Sequence, residues 1–166
     1  RKMTEETPNM KMTPQELISE LKNGKKKKII LDTDAYNEVD DQYAIAYSML
    51  SPDRVEILSI NAAPFLNKRS TSAGDGMEKS YNEIFRITAL TDPEKAKDIP
   101  VYRGSDRFLP SKSEYVSSPA CDNIIRTVMN SDETVWIVAI GAITNVASAI
   151  IKEPAICERA ALIWLG

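Results

Sequence analysis

Short apolar runs return along this chain at intervals that leave room for a helix between them. The runs at 28–32 (KIILD), 55–61 (VEILSIN), 100–102 (PVY), 134–140 (TVWIVAI) and 161–165 (ALIWL) read as strands. Residues 40–50, 76–90, 119–129 and 143–152 carry helical patterning instead. The 76–90 segment is the clearest, with Met77, Tyr81, Ile84, Phe85 and Thr88 on one face at helical spacing. Near-continuous apolar strands alternating with helices predict a mostly parallel sheet covered on both faces. The fold class is therefore α/β and Rossmann-like. In such sheets ligands gather beyond the carboxyl ends of the strands.

Ahead of the first strand, residues 1–28 form an N-terminal extension. Within it Thr13-Pro14-Gln15-Glu16 is a capping box with proline at the first helical position. Leu17, Ile18 and Leu21 then make a short amphipathic stripe, and Gly24 can close the helix. Residues 29–166 hold the α/β domain, with 103–118 as a long loop rich in Ser and Pro.

Charge narrows the function. The net charge of −3 hides an asymmetry: residues 1–28 hold eight Lys or Arg against four Asp or Glu, and the remainder holds 13 against 20. The domain itself is acidic, which argues against nucleic acid as a partner. The Lys25–Lys28 run reads as a solvated lead-in to the first strand, since no aromatic residue interleaves it. Cys121 and Cys157 stand alone, outside any zinc or redox motif, and are expected to be small buried hydrophobes. No signal-peptide pattern and no apolar run of about 18 residues is present, so a cytoplasmic location without a membrane partner is expected.

The candidate chemistry lies in Ile29–Asp41, IILDTDAYNEVDD. Asp32 and Asp34 sit at the end of the first strand, spaced to present their carboxylates together. Asp40 and Asp41 open the next helix, whose N-terminus favours ionised carboxylates. Four carboxylates at the mouth of one strand–loop–helix unit repel one another unless a cation or substrate hydroxyls lie between them. All-oxygen ligation of this kind suits Ca²⁺ or Mg²⁺ and not zinc. Read without a ligand, Asp40 caps the helix and Asp32 ties down the turn. Asn61 and Gly141 also fall near strand ends.

The pattern Asp32-Thr33-Asp34 with Asp40-Asp41 resembles the N-terminal signature of the nucleoside hydrolases, the inosine–uridine-type N-ribohydrolases. Three further segments follow in the family's order. Gly76-Met77-Glu78-Lys79-Ser80-Tyr81 resembles a helix of one branch, Pro100-Val101-Tyr102-Arg103-Gly104 its PVYxG strand and loop, and Gly141-Ala142-Ile143-Thr144-Asn145-Val146-Ala147 its strand-to-helix turn. The loop departs from the usual DxDxGxDD: five residues separate Asp34 from Asp40, none of them glycine, which marks a divergent branch. Family members run on past the position of Gly166 into a half that supplies another calcium-binding aspartate, ribose contacts and often a histidine. This chain contains no histidine. The resemblance thus implies the N-terminal part of an enzyme, inactive alone and a homo-oligomer at full length.

What the resemblance implies is hydrolysis of a ribonucleoside, a small-molecule substrate, to ribose and free base, as in purine and pyrimidine salvage. Asp34 is the implied general base and, with Asp41 and the Thr144 carbonyl, a calcium ligand. Asp40 and Asn67 are the implied ribose contacts, with Asn61 competing for the second role. Asp32 supports Asp34 from behind. Two rivals stand beside this. One is a haloacid-dehalogenase-like, Mg²⁺-dependent phosphohydrolase with Asp32 as nucleophile, which leaves Asp40-Asp41 unexplained. The other is a non-catalytic metal- or nucleoside-binding fragment.

Overall fold

The computed structural model describes residues 11–165, so the first ten residues of the predicted extension lie outside it. Helix α1 (Pro14–Lys22) is capped as its sequence predicts: the Thr13 hydroxyl accepts from the Glu16 amide, and the Glu16 carboxylate accepts from Thr13. Gly24, with φ at +76°, makes the left-handed turn that ends it. The chain then alternates as β1 (Lys27–Thr33), α2 (Val39–Met49), β2 (Val55–Ala62), α3 (Ala73–Thr91), the single turn α4 (Pro93–Ala96) and β3 (Val101–Tyr102). After the irregular stretch 103–118 come α5 (Pro119–Met129), β4 (Val135–Ala139), α6 (Thr144–Lys152), a 3₁₀ turn (Pro154–Glu158) and β5 (Ala160–Trp164).

All five strands are parallel, in the order β3-β2-β1-β4-β5. The first strand in sequence is thus the middle of the sheet, buried from Ile29 to Thr33. Its side chains alternate between two cores. Ile30 joins Ile124 and Val128 of α5 and Val146 of α6 on one face; Leu31 joins Ile45 of α2 and Met77 and Ile84 of α3 on the other. Burying such side chains stabilises the sheet by about 1.5–3 kcal/mol each.

Two expectations need correction. Phe85 lies exposed on α3, because the buried face runs instead through Gly76, Met77, Ser80, Glu83, Ile84 and Thr88. Of its polar members, Ser80 accepts from the Tyr36 amide in the loop after β1, Glu83 holds Arg86, and the Thr88 hydroxyl donates to the Phe85 carbonyl. Cys121 is buried as expected, but Cys157 is exposed in the 3₁₀ turn. Among the described residues, no helix is long and apolar enough to cross a membrane.

Candidate active site

Alternation along β1 decides which way each residue of its carboxyl end faces. Asp32 follows Ile30 toward α6. It is fully buried, and its Oδ2 accepts from the Asn145 amide at 3.0 Å. Its other oxygen has no hydrogen-bond partner among the described residues. Burial pushes this carboxyl up to about 7, against the pull of the Asn145 amide. Asn145 is itself a buried hub: its amide also donates to the Ala62 carbonyl at 3.0 Å, and its oxygen accepts from the Ser105 amide at 2.8 Å.

Thr33 follows Leu31 to the opposite face, where its hydroxyl donates to the Asp41 carboxylate in the first turn of α2. Asp41 is buried, and burial pushes its carboxyl up to about 7 although the Thr33 hydroxyl opposes the shift; the charges of Asp34, Asp40 and Glu38 add to it. Burial and these like charges thus act against the ionised form that a helix N-terminus favours. Nor is an aspartate the helix cap: the N-cap is Glu38, without a side-chain cap bond.

Asp34 lies one residue past the strand in a tight turn, closed by the Asn37 amide donating to the Asp34 carbonyl at 2.6 Å. Its Oδ2 accepts from the Asn37 side chain at 2.9 Å. Burial raises its pKa, the Asn37 amide resists, and Glu38 and Asp40 add like charge. Across from it, at the end of β4, a Cβ on Gly141 would stand 2.9 Å from the Asp34 carboxyl carbon and Oδ1. Asp34 can lie this close to the end of β4 because residue 141 has no side chain. Thr144, three residues on, opens α6 and is buried.

The predicted residues separate into two groups. Asp32, Asp34, Asp41 and Thr144 are buried at the ends of β1 and β4. Asp40 and Asn67 are exposed at the rim. Asn67 is tied to the centre through one intermediary, donating at 2.6 Å to the Asn37 oxygen whose amide holds Asp34. Asn61 is not beyond its strand but inside it, fully buried and receiving the Asn123 amide at 3.4 Å, so it forms wall and not rim. Thr33, Asn37 and Asn145 had no role in the sequence reading. Asn145 stood in a motif that was recognised, whereas Asn37 lies in the loop where the motif is broken.

Chemically the centre is a pair of buried carboxylates, Asp34 and Asp41, whose hydrogen bonds come from an amide and a hydroxyl and not from any Lys or Arg. Among the described residues no group of three or more His, Cys, Asp or Glu is arranged to hold a metal. Two desolvated carboxylates without an ion-pair partner among the described residues nevertheless fit a hard, oxygen-seeking cation. Asp32 is enclosed behind Asn145, which disfavours it as the nucleophile of a phosphohydrolase.

A family model described as inosine-uridine preferring nucleoside hydrolase matches residues 29–166. Among solved structures, a plant nucleoside hydrolase shares 22% identity at a TM-score of 0.56, over 81% of this chain and 45% of its own. A purine-preferring ribonucleoside hydrolase from Gardnerella vaginalis shares 26% identity at a TM-score of 0.58, over 81% of this chain and 46% of its own. The chain therefore spans less than half the length of these two structures. No curated protein sequence matches it.

Proposed function

The chain belongs to the inosine-uridine preferring nucleoside hydrolase family, and from that premise we propose that it carries the carboxylate centre for hydrolysing a ribonucleoside to ribose and free base. The observation that carries this reading is that Asp34 and Asp41 are both buried by the carboxyl end of the central strand, close enough for the charge of one to act on the other, and that neither has an ion-pair partner among the described residues.

Asp34 takes the proton of a water as that water's oxygen bonds to the anomeric carbon. The C–N bond breaks with its electron pair leaving on the base, through an oxocarbenium-like transition state. A carboxyl whose pKa is raised by burial is a better proton acceptor than a solvated one. Asn37 holds the Asp34 carboxylate in one orientation, and Thr33 does the same for Asp41. Asp40 and Asn67, at the rim, accept from and donate to ribose hydroxyls. Asp32 braces the strand end through Asn145. Asp34, Asp41 and the Thr144 carbonyl would hold calcium, whose charge acidifies water and orients the sugar hydroxyls.

A reducing-sugar assay of the full-length protein with inosine and uridine, in the presence and absence of calcium, tests the reading. Calcium-dependent release of ribose that disappears in Asp34→Asn is the expected result. Release unaffected by that substitution would overturn it.

A further inference from the structure

A cleft of about 510 Å³ opens between the loop after β1, α2 and α3, walled by Tyr36, Gln42, Arg69, Glu83 and Arg86. Glu83 is buried and holds Arg86 by two bonds, one of them from Nε to Oε2 at 2.8 Å. That pair fixes one guanidinium fork in the wall. Arg69 has no carboxylate partner among the described residues; one of its Nη groups donates to the neutral carbonyl of Asn37. A guanidinium carries five N–H donors, so most of those on Arg69 remain for something else. Two arginines against one glutamate give the cleft's own lining a net positive charge, in a chain whose net charge is −3. Asn37 joins this cleft to the carboxylates, since its carbonyl receives Arg69 while its side chain holds Asp34.

We propose that the cleft seats an anionic substituent of the substrate, a phosphate or carboxylate carried by the nucleoside, with Arg69 as the recognising cation and Arg86 as the second. The proposal rests on the hydrolase reading above and narrows its substrate class. A guanidinium matches the paired oxygens of either anion. Tyr36 and Gln42 add neutral donors, and the Tyr36 ring is fixed by stacking on Phe65 with centroids 6.5 Å apart. A neutral nucleoside would leave the Arg69 donors facing water and gain nothing from them.

Isothermal titration of the purified protein with fragments reads the cleft without turnover. Ribose 5-phosphate against ribose tests a group on the sugar; orotate against uracil tests a group on the base. In one of the two pairs the anion binds about ten- to a hundredfold more tightly, the worth of one charge-assisted hydrogen bond. Arg69→Met removes that advantage, Arg69→Lys keeps part of it, and Arg86→Gln reduces it without touching the loop that Arg69 braces. Equal affinity within both pairs, or an advantage that survives Arg69→Met, overturns the proposal. Base release from uridine by the full-length protein is followed in parallel. Its absence would sink the hydrolase reading alone, because the binding arms need no reaction.

Discussion

Asn145 donates to Asp32 across 3.0 Å although 113 residues separate the two in sequence. The same side chain reaches the Ala62 carbonyl at the end of β2 and the Ser105 amide in the loop after β3. One fully buried amide therefore sets the relative positions of the strand ends on which the acidic centre is built.

Asn145→Ala is expected to destabilise the protein more than the loss of one hydrogen bond would suggest. It leaves the Asp32 carboxyl, the Ala62 carbonyl and the Ser105 amide buried without this partner, at about 1–3 kcal/mol for each group left unsatisfied. Thermal denaturation measures the effect. An unchanged Tm would show that the hub is dispensable.

Asp34→Asn removes the general base while keeping the shape of the side chain. In the full-length protein a fall in kcat of at least about three orders of magnitude is expected, within the range that a positioned base contributes. Near-normal release of ribose from inosine would contradict the assigned role.

Asp41→Ala and Thr144→Val separate two kinds of ligand. The first deletes a charge and should weaken calcium binding strongly. The second retains the main-chain carbonyl and should be mild. Calcium titrations of both variants decide the matter, and a larger loss at Thr144 would refute the ligand set.

Gly141→Ala would place a methyl group 2.9 Å from the Asp34 carboxyl. The variant should keep its circular dichroism spectrum and lose most of its calcium affinity, as Asp34 is forced to turn. Undiminished affinity would mean that calcium binding does not depend on the close approach of Asp34 to residue 141.

Metal-free protein should lose stability as pH rises. The carboxyls of Asp32 and Asp41 move from 3.8 to about 7 on folding, so the folded state holds these protons more tightly. Their stabilising contribution is full below about pH 4 and is lost as pH climbs through about 7. Asp32→Asn should flatten the dependence of Tm on pH across that interval. A slope identical to that of the parent protein would count against buried, protonated carboxyls.

Much of the fold was legible because β4 is apolar throughout, β1 and β2 carry apolar runs, and the longer helices show clear periodicity. The capping box at Thr13 and Glu16 was read correctly, since all its partners are local. The start of α3 was placed three residues late: the Ser72 cap on the Asp75 amide sits just ahead of the apolar stripe. The single turn Pro93–Ala96 and the 3₁₀ turn are too short for periodicity to register. In the site, the aspartates declared themselves by spacing. Asn145 and Arg69 did not, because what gives them meaning is a partner brought from a distant segment, the Asp32 carboxylate for one and the Asn37 carbonyl for the other.

The all-parallel sheet also governs how the centre comes into being. No two of its strands can pair as a hairpin; each pairing waits on a crossover, and the entropy of closing that loop is met before contacts reward it. Asp32 is flanked in register by Asn61 of β2 and Ala139 of β4. Both neighbours must dock before the carboxylates acquire their spacing. Amide hydrogens at residues 32 and 33 should thus exchange only through global unfolding, at the rate of the slowest amides in the molecule, and cation binding should appear in refolding as a late, all-or-none event.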